Sequence, residues 1–256
     1  MRSLFLISGI GMVLVGLFSI IYWQRRNKTD ASFYLLGAAA WIAGVALKFA
    51  FAIAFNEKMK TLLEATFAKS VADILLYTYI GLLTGVFECG MVLLFLYLIK
   101  NLQRQSFEQA VSFGIGFGAV EAIIVGTLSL VSVSVLILFP ESVPKDVLNK
   151  IDPSKLWTVP APIIERISTI FIHTFSTVLI VYAFITKKFK WFWASFVYKT
   201  LVDTLAAWFA LNKYGNAPIE LYSIEFEFAI LAVFGFVGLK ILKDKWPEIY
   251  ENQEIS

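Results

Sequence analysis

The chain has one cysteine, Cys89, and one histidine, His173, in 256 residues. A lone cysteine excludes a disulfide framework within the chain and any metal site built on several thiolates. Charge is scarce as well. Asp, Glu, Lys and Arg make up 16% of the residues, against ~25% in a typical soluble domain. The net charge is only +3, and no basic block interleaved with aromatics occurs, which sets nucleic-acid binding aside. The zinc-protease pattern HExxH is missing too. What remains is apolar: hydrophobic residues make up 59% of the chain. That balance describes an all-α, multi-pass protein of the cell membrane, folded as one helical bundle whose partner is the lipid bilayer.

A bilayer core asks for ~20 apolar residues per helix. Seven stretches qualify: 3–23, 32–55, 71–99, 108–139, 162–185, 190–211 and 219–242. The first lacks a sizeable basic n-region and a small-residue cleavage site, so it reads as a retained helix. The third and fourth are long enough to require tilt or a break. Residues 56–70 carry mixed charge with Met, Leu and Phe at helical spacing, which predicts an interfacial amphipathic helix. Four of the seven prolines fall in 140–161, a structured or mobile loop outside the membrane. One transmembrane domain is expected over 1–245, followed by a short cytoplasmic tail, 246–256. Eleven Lys and Arg residues lie in the loops after segments 1, 3 and 5 and at the end of segment 7, and eight lie on the other side. The richer side should be cytoplasmic, with the N-terminus outside and the C-terminus inside.

Against this background the ionisable residues inside the apolar segments stand out. A charge at mid-bilayer costs at least ~2.5–3.5 kcal/mol on insertion scales, and such residues usually face the bundle interior. They are Lys48, Glu88, Glu121, His173, Lys199 and Asp203, with Glu165 and Arg166 near the outer end of the fifth segment and Glu225 and Glu227 in the seventh. At a rise of ~1.5 Å per residue, counted from segment starts at 71, 108, 162 and 190, Glu88, Glu121, His173, Lys199 and Asp203 all reach the middle band. Arg166, Thr169, His173, Ser176 and Thr177 share one helical face. Lys199 and Asp203 are spaced i, i+4 and can pair. Gly114 and Gly118 form GxxxG ahead of Glu121, which lets a neighbouring backbone come close.

Two carboxylates and an imidazole are the residue types that activate water. Each also has a structural reading. Lys48 would snorkel or pair, Lys199–Asp203 would be a structural ion pair, and Glu225 and Glu227 would sit at a helix entrance. Glu88, Glu121 and His173 would be satisfied core residues, and Cys89 an apolar filler. No cofactor is expected, with a metal held by Glu and His as the alternative.

Four stretches carry a resemblance: GVFECG (85–90), FGIGFGAVEA (113–122), ERISTIFIHTFS (165–176) and YKTLVD (198–203). In motif order, length and helix count the chain resembles the YhfC family of intramembrane proteases, related to the wider glutamate-dependent membrane proteases. Phe87, Glu88, Gly116, Gly118, Glu121, Ala122, Glu165, Arg166, His173 and Asp203 match the family pattern. Cys89 stands where a second Glu is usual, Phe117 and Lys199 where His is usual, and Ala119 where Gly is usual. One remaining His does not support a conventional multi-His metal site. The resemblance implies hydrolysis of a peptide bond in or near the membrane, in a transmembrane or lipid-proximal substrate. Glu121 or Glu88 would activate water and His173 would donate a proton or stabilise the oxyanion. Glu165, Arg166, Lys199 and Asp203 would support them. The alternatives are a non-catalytic homologue that binds a membrane partner and a proton-coupled small-solute carrier.

Overall fold

The structure is a computed structural model that describes residues 1–212 and 217–246. Among these residues every regular element is helical. Nine α-helices follow in order: α1 Leu6–Asn27, α2 Ala31–Thr66, α3 Lys69–Thr84, α4 Gly90–Leu98, α5 Phe107–Leu138, α6 Lys145–Leu148, α7 Ala161–Thr186, α8 Lys190–Leu211 and α9 Pro218–Lys245. Each long helix closes its own backbone hydrogen bonds, which is what a lipid interior demands. Five stretches of the described residues are long and apolar enough to cross a membrane: Arg2–Asn27, Ala31–Thr66, Lys69–Leu98, Phe107–Leu138 and Pro153–Thr186. The other two expected segments form α8 and α9. The protein is a multi-pass membrane bundle.

Local signals set the helix ends. Asp30 caps α2 by accepting the Ser32 N–H at 2.7 Å. Ser106 and Gln109 form a reciprocal capping box at the start of α5. Lys28 and Lys187 take left-handed backbones at the ends of α1 and α7 and bring positive charge to helix C-termini.

The third apolar segment, long enough to ask for tilt or a break, carries a local irregularity within one helical span, Lys69–Leu98. Gly85–Cys89 forms a single π turn between α3 and α4, and Glu88 lies in it. The fourth stays one unbroken helix, α5. Residues 56–66 continue α2 rather than forming a separate interfacial helix, because no Pro or Gly interrupts the run after Phe55. The proline-rich connection is structured. It folds into short turns whose Ile151 and Val159 pack with Phe5 in a small satellite core. Ser8 Oγ donates to Val159 O at 2.8 Å and Tyr222 OH to Trp157 O at 2.7 Å. Trp246, assigned to the tail from sequence, is buried and donates to Gln105 O at 3.1 Å. The rest of that tail lies outside the described residues.

Helices α5 and α7 form the centre. Helix α5 packs on α1, α2 and α7, and α7 packs on α9 and α8 as well. From Ser168 to Ile185 every α7 residue except Phe171 is buried. Glycines set the spacing. A methyl group on Gly114 would lie 2.8 Å from Thr174 Cα, and one on Gly118 would lie 3.1 Å from His173 Cβ. Gly116 turns the other way, where a methyl would lie 2.6 Å from Tyr34 Cα on α2. Helix α5 is therefore held at backbone distance by α2 on one side and α7 on the other. One turn beyond, Glu121 emerges at their junction.

Gly114→Val is expected to destabilise the bundle by about 1–3 kcal/mol, as overpacking does. A methyl on Gly90 would meet nothing within 4 Å. Gly90→Ala should accordingly be neutral or stabilising by up to about 1 kcal/mol. Unfolding of the two variants in detergent checks the contrast, and equal effects would refute the packing assignment.

Candidate functional site

Glu121 is held from three directions. Trp41 Nε1 on α2 donates to Oε2 at 3.2 Å. Arg166 Nη1 on α7 donates to Oε1 at 2.5 Å. His173 Nε2, two turns further along the same face of α7, lies 2.6 Å from Oε2. Arg166 spans two carboxylates, since its Nη2 donates to Glu165. The stripe of Arg166, Thr169, His173, Ser176 and Thr177 is buried throughout, as one polar face turned inward. A carboxylate withdrawn from water is tolerable only with such charge and hydrogen-bond compensation.

Glu88 sits in the π turn at 3% exposure. Its Oε1 takes Lys48 Nζ at 2.5 Å, and its Oε2 forms an ion pair with Lys199 Nζ at 3.1 Å. Oε2 has no well-aligned hydrogen bond. Lys199 Nζ also lies 3.2 Å from His173 Nδ1. An ammonium can only donate, so Nδ1 must accept. The ring proton then sits on Nε2, facing Glu121. His173 thus joins the two carboxylates, with Nδ1 3.9 Å from Glu88 Oε2.

Asp203 enters differently from expectation. Its partners are Thr84, whose hydroxyl donates to it, and Lys48 at 3.7 Å. Lys199 turns to Glu88 instead of forming the expected i, i+4 pair, because the buried carboxylate of the π turn is the stronger claimant for a fully enclosed ammonium. The result is one chain of contacts, Glu165–Arg166–Glu121–His173–Lys199–Glu88–Lys48–Asp203. It joins α2, the π turn, α5, α7 and α8. The carboxylates at its two ends are the most open, with side-chain exposures of 36% for Glu165 and 27% for Asp203.

All seven site residues named from sequence, Glu88, Glu121, Glu165, Arg166, His173, Lys199 and Asp203, therefore meet in one cluster. Lys48, Trp41 and Thr84 were not assigned to it. Lys48 had a signal, a lysine deep in an apolar helix. A tryptophan and a threonine in such helices give none. Glu225 is buried rather than set at an entrance, near Glu165 and Arg166, and its Oε2 has no hydrogen-bond partner. Glu227 is exposed.

The walls are tight. The Phe117 ring lies 5.3 Å from the His173 ring. Cys89 Sγ lies 3.9 Å from Ser176 Oγ and from Ser195 Oγ, which are 2.7 Å apart. Glu88, Cys89, Phe117, His173 and Lys199 enclose a space too small to admit a water molecule. The chemistry on offer is a carboxylate–imidazole pair, with Glu121 partly open at 19% side-chain exposure, beside a second, enclosed carboxylate and its ammonium partner.

No curated protein and no solved structure matches the chain significantly. A family model does: that of the YhfC intramembrane metalloprotease matches residues 11–222, a stretch containing every residue of the ion-pair chain, and the protein belongs to that family.

Proposed function

We propose that the protein is a peptidase that cleaves a bond within or beside the bilayer, with Glu121 activating water and His173 carrying the proton. The observation behind this is the 2.6 Å contact between His173 Nε2 and Glu121 Oε2 at the heart of a buried cluster. In this reaction Glu121 takes a proton from water, and the water oxygen bonds to the substrate carbonyl carbon. The C–N bond breaks as His173 gives its Nε2 proton to the leaving amine and takes in return the proton that Glu121 accepted. Arg166 and Trp41 hold Glu121 in place. Lys199, the buried ammonium beside His173, would supply positive charge to a developing oxyanion. An apolar groove of ≈ 530 Å³ between α7, α8 and α9 suits a lipid-proximal substrate. It reaches Tyr198, the neighbour of Lys199, whose hydroxyl donates to Leu231 O at 2.8 Å. The charge bias of the loops supports action in the cell membrane, with the C-terminus cytoplasmic.

A second reading, a non-catalytic homologue that binds a membrane partner, draws on a specific observation. Both oxygens of Glu121 are already occupied, and the neighbouring space between Glu88, Phe117, His173 and Lys199 admits no water.

The family description implies a metal, and the donor set does not fit one. Among the described residues no group of three or more His, Cys, Asp and Glu side chains is placed to hold a metal ion. The gap between Glu88 Oε2 and His173 Nδ1 is bordered by Lys199 Nζ, which touches both. No step of the proposed reaction is routed through a metal.

Two measurements follow. In proteoliposomes with labelled transmembrane peptides, Glu121→Gln should reduce cleavage by at least ~10²-fold, the lower end for loss of a general base. Equal cleavage removes Glu121 from the role, and partner binding without product in either protein favours the second reading. Cys89 is the one thiol and lines the closed space. It should resist N-ethylmaleimide in the folded protein and label severalfold faster in Phe117→Leu. Labelling of the folded wild type at the rate of the unfolded chain would show that the site is not closed.

A further inference from the structure

We propose that Lys199 is the resident cation of this site, and that its ammonium keeps a divalent metal ion out of a protein whose family is described as metalloproteases. The inference concerns the same cluster but holds whether or not the cluster hydrolyses a bond.

A metal centre needs several deprotonated donors converging at ~2.0–2.2 Å on one point, with room for the ion. Two groups of the right kind face one another here, Glu88 Oε2 and His173 Nδ1. Beside them, in contact with both, is Lys199 Nζ, at 3.1 Å and 3.2 Å. Those are ion-pair and hydrogen-bond distances, so a metal shared by the two donors would have to sit hard against the ammonium. The ammonium performs two tasks a metal would perform: it neutralises Glu88, and it engages the Nδ1 lone pair of His173.

The position is fixed on several sides. Lys199 is 3% exposed, with Glu88, Cys89 and His173 lining the same space. One turn back on α8, Ser195 ties the helix to α7 by donating to Ser176 O at 2.9 Å. The base of the side chain is therefore clamped. Glu88 Oε1 is engaged separately by Lys48 at 2.5 Å. A divalent cation entering the gap would meet two ammonium groups in a poorly screened interior, where like charges repel strongly. The remaining soft donor, Cys89, is turned to the Ser176–Ser195 hydroxyl pair. A covalently attached cation also cannot be removed by a chelator or lost when metal is scarce.

The test counts metal instead of activity. The full chain in detergent is incubated with Zn²⁺, freed of excess, and its zinc content measured by mass spectrometry, alongside its unfolding temperature with and without EDTA. Wild type should hold no zinc that depends on Glu88, and EDTA should not shift its unfolding. Lys199→His removes the ammonium and adds a donor beside Glu88 and His173. It should retain one equivalent of Zn²⁺, lost again when Glu88→Gln is added. One equivalent in wild type that Glu88→Gln removes overturns the proposal. So does a folded Lys199→His variant that binds no zinc, because Lys199 would then not be what excludes the metal. Should Lys199→His fail to fold, Lys199→Met provides the check. It should lower the unfolding temperature, and Glu88→Gln added to it should recover much of the loss. No recovery would mean that the ammonium does not serve Glu88.

Discussion

A carboxylate inside a lipid-facing bundle is tolerable only if cations and donors are brought to it, and Glu121 is where that requirement organises the fold. Its partners come from two other helices: Trp41 from α2, and Arg166 and His173 from α7. Both must approach α5 on opposite sides within one turn. Gly114 and Gly118 permit the approach of α7, and Gly116 that of α2. The small-residue pattern and the acidic residue are thus two parts of one constraint. Close backbone contact without the carboxylate would be ordinary helix packing. The carboxylate without close contact would be an unpaired buried charge.

The second carboxylate is served by a different device. Glu88 lies on a π turn, a local widening of the helix that often marks functional sites. The turn packs against α2 and α8, the helices that supply Lys48 and Lys199. The two carboxylates end up unequal. Glu121 has donors on both oxygens, whereas Glu88 Oε2 has an ion pair without an aligned hydrogen bond. His173 links them, with Nε2 toward Glu121 and Nδ1 toward Lys199. Any chemistry the cluster performs would therefore be asymmetric, with one carboxylate oriented by aligned donors and the other held mainly by charge. Buried ion pairs of this kind contribute little net stability, while losing one partner is costly. The chain of contacts accordingly acts less as glue than as a specification of which helix faces which.

Much of this was legible in the sequence, for physical reasons. Apolar runs of membrane-spanning length must be helices, since nothing else satisfies the backbone in lipid. Mid-segment charges must turn inward, since facing hydrocarbon is too costly. The length of the third and fourth segments called for tilt or a break, and GxxxG called for close contact. Those rules, with the motif order, led to Glu88, Glu121, His173, Glu165, Arg166, Lys199 and Asp203 and to the family. They failed where a rule reached only as far as one helix. The spacing of Lys199 and Asp203 shows what a helix offers itself, and Glu88 on the π turn proved the closer partner. Lys48 was visible as an anomaly but had no partner until α2 was laid against the π turn. Trp41 and Thr84 had no signal at all, because their types are at home in apolar helices. Residues 56–66 carried an amphipathic pattern, yet nothing in them breaks the helix they extend.

By itself, the sequence determined the all-helical membrane bundle and the inward placement of its ionisable residues. Each follows from the cost of an unsatisfied polar group in hydrocarbon, which is the same whatever the neighbours. The tertiary structure alone decided the pairing: His173 with Glu121, Lys199 with Glu88 and His173, and Lys48 between Glu88 and Asp203. It also decided that Phe117 and its neighbours close the space to water. Pairing depends on distances of a few ångströms between helices far apart in the chain, and those distances are set by how the glycine faces and the π turn let the helices meet.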